Sequence, residues 1–206
     1  MTATPILSTK DPSALSKCLK SISSEGVIIF PTDTVYGIGC DVFSSIPMKR
    51  IFEIKGRDFS KALPILIGNL EQINSVVESL DCRSEKLIKT FWPGPLTIIL
   101  PKHGSLPPNL SPYDTVGIRM PNHPWLLDLL NLTGPLAATS ANPSGEAEAR
   151  NVKEVVDTLD GKIDLIIDGG QSSLGPPSTV VECLTNEIRI LREGPISKTD
   201  ILSALQ

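Results

Sequence analysis

Apolar residues recur along this chain in two rhythms. One is the three-to-four residue spacing of a helix buried on one face; the other is the short continuous run of a buried strand. Leu15, Cys18, Leu19 and Ile22 follow the first rhythm, behind Asp11-Pro12, a cap residue and a proline at the first helical position. Gly26 ends that helix. Residues 27–30 read as a strand stopped by Pro31, and a polar, glycine-containing loop is expected to Asp41. Met48, Ile51 and Phe52 mark a second helix, capped by Ser44 or Ser45 and ended by Gly56. A strand is expected over 64–67. Leu70, Ile73, Val76 and Val77 mark a third helix, and Leu87, Ile88 and Phe91 a fourth. Trp92-Pro93-Gly94-Pro95 is a rigid turn into a strand over 96–100.

The second half continues the alternation. A proline-rich loop over 101–112 leads to a strand at 115–119, a helix at 124–132 and a strand at 136–139. Val152, Val155, Val156 and Leu159 form a helical stripe before a strand at 165–168. Residues 178–184 and 187–192 read as a hairpin turning at Thr185-Asn186, and Ile201, Leu202 and Leu205 as a last helix. Helices alternating with strands predict one α/β domain. The late hairpin makes its sheet mixed.

Composition narrows the classes. Nineteen basic residues against 23 acidic ones give a net charge of −4. That argues against a surface built to coat nucleic acid and leaves room for a local basic cleft. The apolar runs are too short to span a membrane, and residues 1–11 lack the basic flank and apolar run of a signal peptide. Cys18, Cys40, Cys82 and Cys183 are scattered without metal-like pairing, so they read as buried thiols in a reducing compartment. His103 and His123 stand alone, which leaves a zinc site or a histidine triad little to work with. Neither common phosphate-loop motif is present.

Three polar segments follow strands, where ligands bind in open α/β sheets. Residues 31–39, Pro-Thr-Asp-Thr-Val-Tyr-Gly-Ile-Gly, offer hydroxyls and close backbone approach; they also suit a turn that satisfies its own backbone. Residues 49–61 hold five basic and two acidic residues. Lys55, Arg57 and Lys61 there could grip a polyphosphate, or could simply complement a helix end. Both Lys55 and Arg57 flank Gly56 at that end, where truncation is expected to cost little stability. Residues 139–145, Thr-Ser-Ala-Asn-Pro-Ser-Gly, could be a ligand loop or a cap and turn cluster.

In this order the segments resemble the YrdC/TsaC family, the threonylcarbamoyl-AMP synthases. Further matches are Trp92-Pro93-Gly94-Pro95-Leu96-Thr97, Gly117-Ile118-Arg119-Met120-Pro121, Asp168-Gly169-Gly170, Ser178-Thr179-Val180-Val181 and Leu191-Arg192-Glu193-Gly194. The resemblance covers residues 14–205. It implies a single YrdC-like domain over 8–206, a twisted open mixed α/β sheet with flanking helices and a basic concave cleft. It also implies the short form, without the extra C-terminal domain of longer members.

The reaction implied joins L-threonine, bicarbonate and ATP into threonylcarbamoyl-AMP and pyrophosphate. The product then passes to a transferase complex that modifies adenosine 37 of tRNAs reading codons that begin with A. By the matching motifs, Lys55, Arg57, Ser140 and Asn142 are the catalytic set. Arg57, Lys61, Thr115, Asn142, Arg150 and Arg192 are implied on ATP, and Thr34, Arg119, Ser140 and Ser178 on threonine. Magnesium is expected on the triphosphate, without a dedicated protein metal site, in a cytoplasmic protein with no membrane contact. The chain departs from the family pattern at Ala62, Leu66-Ile67 and Pro177. A second reading, a non-catalytic RNA-binding or ribosome-maturation factor, would use the same basic cleft, and weak RNA binding is compatible with either. Intact Lys55-Gly56-Arg57 and Ser140-Ala141-Asn142 favour the enzyme. Tyr and Trp number only two each, which weakens an RNA-first reading.

Overall fold

The structure, a computed structural model, describes residues 3–172, 175–184 and 188–206. Its strands are β1 (Ile6–Ser8), β2 (Ile28–Phe30), β3 (Gly37–Asp41), β4 (Ile65–Leu66), β5 (Leu96–Pro101), β6 (Thr115–Arg119), β7 (Leu136–Ser140), β8 (Leu165–Asp168), β9 (Thr179–Glu182) and β10 (Arg189–Arg192). Its helices are α1 (Ala14–Ser23), α2 (Ser45–Lys55), α3 (Ile73–Val76), α4 (Cys82–Phe91), α5 (Pro124–Thr133), α6 (Val152–Leu159) and α7 (Lys198–Leu205). All the strands join one open sheet in the order β1-β8-β2-β3-β7-β4-β6-β5-β9-β10. None of the described helices is long and apolar enough to cross a membrane.

Strand alternation divides the apolar residues between two faces. Ile29, Ile38, Cys40, Ile65, Ile98, Val116, Ile118, Ala137 and Val181 belong to a large cluster with residues of α2, α3, α4, α6 and α7. Their strand neighbours Ile28, Phe30, Leu66, Leu136, Ala138, Leu165 and Ile167 pack instead with Ala14, Cys18 and Ile22 of α1 and Leu126, Leu129 and Leu130 of α5. Five helices therefore cover one face and two the other. The second face stays open over β6, β5 and β9, where no described helix reaches it.

The sheet is mixed, as the late hairpin predicts, but that hairpin is not the only source of mixing. β2 with β3, β3 with β7, β4 with β7 and β5 with β6 are antiparallel too. β9 and β10 pair antiparallel; the expected turn at Thr185-Asn186 lies outside the described residues.

The segment after Pro31 that was expected to be loop as far as Asp41 instead becomes β3 from Gly37 on. Its glycines disguise it. A Cβ at Gly37 would meet the Phe30 ring at 2.8 Å, and one at Gly39 at 3.0 Å, so the neighbouring strand's aromatic ring excludes the branched residues that usually mark a strand. The apolar spacing gives no signal for β1, a short edge strand held among the described residues by β8. The expected third helix shrinks to a 3₁₀ turn, Leu70–Gln72, and the four residues of α3. Val77 leaves the helix to bridge Lys102, and the amide of Glu78 donates to Pro101, so pairing beside β5 overrides the helical spacing. α1 starts at Ala14 rather than behind Asp11, whose carboxylate accepts from the Ser13 amide and hydroxyl in the turn before it. Cys18, Cys40 and Cys183 are buried, but Cys82 is exposed at the start of α4, against the expectation of four buried thiols.

Candidate active site

A cavity of about 280 Å³ occupies the open part of the sheet. Its floor is made of the strand residues that point away from the large apolar cluster. These are Gly37 on β3, Leu66 on β4, Thr97 and Ile99 on β5, Gly117 and Arg119 on β6, Ala138 and Ser140 on β7, and Val180 on β9. Glycine and alanine at the centre leave the space empty. At Gly117 a Cβ would come within 2.9 Å of the Thr97 methyl.

Three hydrogen-bonded assemblies build the walls. In the first, Thr32 Oγ1 donates to the Val35 carbonyl at 2.7 Å and accepts from the Thr34 amide at 3.0 Å. This turn presents the Thr34 hydroxyl to Arg119, whose Nη1 donates to it at 3.1 Å. Arg119 also donates through Nε to the Gly94 carbonyl and through Nη2 to Asp33 at 2.6 Å. The ion pair is almost buried, so it fixes the guanidinium plane.

The second assembly hangs on a bulge. The register of β10 against β9 shifts between Ile190 and Arg192, leaving Leu191 as the extra, half-exposed residue. Bulges re-aim side chains, and Arg192 is turned into the cavity. Its Nε donates to the Ser178 carbonyl and its Nη2 to the Ser178 hydroxyl, which also shares a 2.7 Å hydrogen bond with Thr97. Burial, first of all, holds the Arg192 guanidinium below its ordinary value; the charge of Glu148 opposes this and that of Arg119 adds to it.

The third joins the other two recognised segments. Gly56 ends α2 in the left-handed conformation at φ 59°, with its amide on Glu53 and that of Arg57 on Phe52. This reversal sends the adjacent cations apart. Arg57 lines the cavity, donating to the carbonyls of Lys61 and Ala62. Lys55 is 3% exposed and turns inward, where its ammonium donates to the carbonyls of Ser140 and Asn142. Its own carbonyl accepts from the Ser144 amide at 2.7 Å. Burial first, then the nearby Arg57 charge, push the Lys55 ammonium down to about 8, against the attraction of Glu148.

Below pH 8 both folded and unfolded chains carry the Lys55 proton. Between about 8 and 10.5 the folded chain releases it and the unfolded chain keeps it, so stability is expected to rise with pH there. The slope approaches ~1.4 kcal/mol per pH unit for one proton. Urea melts of wild type and Lys55→Met across this range measure it. The same pH dependence in both proteins would remove Lys55 as the source.

The structure thus gathers Thr34, Arg57, Arg119, Ser140, Ser178 and Arg192 around one cavity. Lys55 and Asn142 lie behind its wall. The Asn142 amide donates to the Pro143 and Glu146 carbonyls, so it shapes the loop after β7. Thr115 shares the cavity-facing side of β6 with Gly117 and Arg119 but lies beyond the lining residues; Lys61 and Arg150 are exposed outside them. Thr97, Tyr36 and Glu148, to which the sequence assigns no role, also line the cavity. Thr97 carries a signal: it is the polar position in Leu96-Thr97-Ile98. Tyr36 ties β3 to the loop after β8, accepting from the Gly169 amide and donating to the Gly170 carbonyl. Glu148 carries no signal, because it sits in a loop of small and acidic residues. His123 caps α5 by accepting from the Leu126 amide, and His103 hydrogen-bonds Ser105; neither lines the cavity.

The profile of the Sua5/YciO/YrdC family, described as telomere recombination, matches residues 20–194. The chain belongs to this family. Among family members it is 38% identical over 198 residues to the threonylcarbamoyl-AMP synthase of Bacillus subtilis, covering 95% of this chain and 57% of that protein. It is 34% identical to the putative threonylcarbamoyl-AMP synthase of Mycobacterium tuberculosis, covering 95% of this chain and 92% of that one. The crystal structure of Pyrococcus abyssi Sua5 complexed with L-threonine superposes with a TM-score of 0.94 at 35% identity, over 99% of this chain and 61% of that one. The chain therefore spans little more than half the length of the Bacillus protein and three-fifths of the Pyrococcus one. Ala62, Leu66 and Pro177, the departures the resemblance implies, all line the cavity.

Proposed function

We propose that this protein is a threonylcarbamoyl-AMP synthase. The observation that carries the reading is the convergence of Arg57, Arg119 and Arg192 with the hydroxyls of Thr34, Ser140 and Ser178 on one cavity. The names of the synthase relatives and the threonine complex of Pyrococcus Sua5 support it. No observation favours the non-catalytic RNA-binding reading over it.

The chemistry suits this set. The amine of threonine and bicarbonate give an N-carboxy group and water. A carboxylate oxygen of that group then attacks the α-phosphorus of ATP, and pyrophosphate leaves with the electrons of the broken P–O bond. The product is a mixed carbamic–phosphoric anhydride. No protein nucleophile is required; the protein must hold two mutually repelling anions in line and stabilise charge on the phosphates. Arg57 and Arg192 face the phosphates in this reading. Three N–H groups of Arg119 are engaged, and two remain for the carboxylate of threonine. The Ser140 hydroxyl, which makes no hydrogen bond among the described residues, stands between the two ligands. Lys55 and Asn142 act by fixing the backbone on which Ser140 sits. Lys61, Thr115 and Arg150 extend the nucleotide site outward.

Among the described residues no three His, Cys, Asp or Glu gather as a metal cage. Magnesium would arrive with ATP, held mainly by phosphate and water, and would neutralise part of the phosphate charge beside the cavity's arginines. The product is an activated carbonyl donor, suited to transfer onto tRNA adenosine 37 by a separate transferase complex in the cytoplasm. Pyrophosphate release tests the reading with threonine and bicarbonate omitted in turn. Release is expected to need both; phosphate in place of pyrophosphate, or indifference to threonine, would overturn it.

A further inference from the structure

Among the described residues, Glu148 is the only carboxylate lining the cavity, facing the same space as three guanidiniums. Arg119 is already matched by Asp33. Among the described residues Arg57 and Arg192 are not matched in this way: their hydrogen bonds go to the neutral oxygens of Lys61, Ala62 and Ser178. The Glu148 carboxylate itself takes no hydrogen bond and makes no ion pair among the described residues. Its charge nevertheless reaches across the cavity, holding up both the Lys55 ammonium and the Arg192 guanidinium against burial.

The backbone keeps it there. Two residues before Glu148, the Glu146 carbonyl accepts from the Asn142 amide at 2.7 Å. One residue after, the side chain of Ala149 is buried, and its carbonyl accepts from the Tyr36 amide at 3.0 Å. The Arg150 amide is held by Glu154. These bonds tie down the backbone on both sides of Glu148 and keep its side chain on the cavity.

We propose that Glu148 is an electrostatic counterweight to the phosphate-binding cations. It balances Arg192 and Lys55 while the cavity is empty and repels pyrophosphate once it has formed. The inference rests on the nucleotide-binding reading above. A cleft lined by unopposed cations holds its most highly charged product longest, and product release limits many enzymes. Tight, uniform binding of phosphates lowers KM without raising kcat. A carboxylate held beside the cavity penalises each ligand in proportion to its charge, so of the two products it acts more strongly on pyrophosphate, and it does not act on an uncharged nucleoside.

Calorimetric titration of wild type, Glu148→Gln and Glu148→Asp with inorganic pyrophosphate tests this, at low salt and without magnesium. Adenosine serves as the uncharged ligand. Glu148→Gln is expected to bind pyrophosphate roughly 5- to 50-fold more tightly, an advantage that shrinks with added salt. Adenosine affinity stays unchanged, and Glu148→Asp stays near wild type. Rapid-quench turnover of Glu148→Gln is expected to show slower pyrophosphate release. Unchanged or weaker pyrophosphate binding in Glu148→Gln, with wild type binding normally, overturns the inference alone. So does an equal gain for adenosine. A wild type that binds neither ATP nor pyrophosphate overturns the nucleotide reading and the inference with it.

Discussion

Lys55→Ala is expected to lose stability and activity together, whereas Arg57→Ala loses activity alone. Sequence spacing treats the two cations alike, as neighbours of a helix-ending glycine. The structure separates them. The Lys55 ammonium satisfies two backbone carbonyls of the loop after β7. Removing it strands both acceptors in a site that water reaches poorly, at about 1–3 kcal/mol for each unpaired group. Relief from burying a charge offsets part of this, leaving about 2–4 kcal/mol. For a domain of this size that lowers Tm by roughly 5–15 °C. Activity falls as well, because Ser140 loses the anchor of its carbonyl. Arg57 instead bonds carbonyls near the surface, where water can replace it, so its truncation shifts stability by about 1 kcal/mol or less. Its rate loss is roughly 30- to 1,000-fold, the usual cost of removing one charged contact to a transition state. Thermal melts beside pyrophosphate-release rates check both. A stable Lys55→Ala protein would show that the loop holds without the ammonium. An active Arg57→Ala protein would move the phosphates away from that wall.

The largest kinetic effect concerns the amino acid. Threonine is expected to outrank alanine and glycine by up to ~10⁴–10⁵ in kcat/KM, the range for sites that hydrogen-bond a substrate hydroxyl. The hydroxyls of Thr34 and Ser178 are pre-oriented, the first by Thr32 and Arg119, the second by Thr97 and Arg192. Ser140 contributes a hydroxyl with no internal partner among the described residues. A ligand without a hydroxyl leaves such groups facing an apolar contact, which costs more than a lost methyl does. Serine keeps the hydroxyl and gives up only contact with lining residues such as Leu66, Ile99 and Val180, worth about 10- to 200-fold. Steady-state kinetics with the four amino acids, at saturating ATP and bicarbonate, measure the ranking. Alanine or glycine rivalling threonine would relocate the amino-acid pocket.

The sequence by itself determined the α/β alternation, the bounds of β6, α6 and β8, and the three polar segments that meet at the site. These are local matters. A proline at the first position of α5, the apolar stripe of α6 and the β-branched run of β8 state their own conformation before any partner is present. The tertiary structure decided what depends on a partner distant in the chain. Gly37 and Gly39 spell a loop until the Phe30 ring is laid across them, and then they can only be a strand. Lys55 and Arg57 differ because one meets the carbonyls of a loop some 85 residues away and the other meets open space. Arg192 reaches the cavity through a bulge that exists only in the pairing of two strands. Glu148, silent in its own loop, acquires meaning from the cations that folding brings opposite it. Charge and hydrogen bonding act through space, so their sum at the site is set by the fold and not by any one segment of the chain.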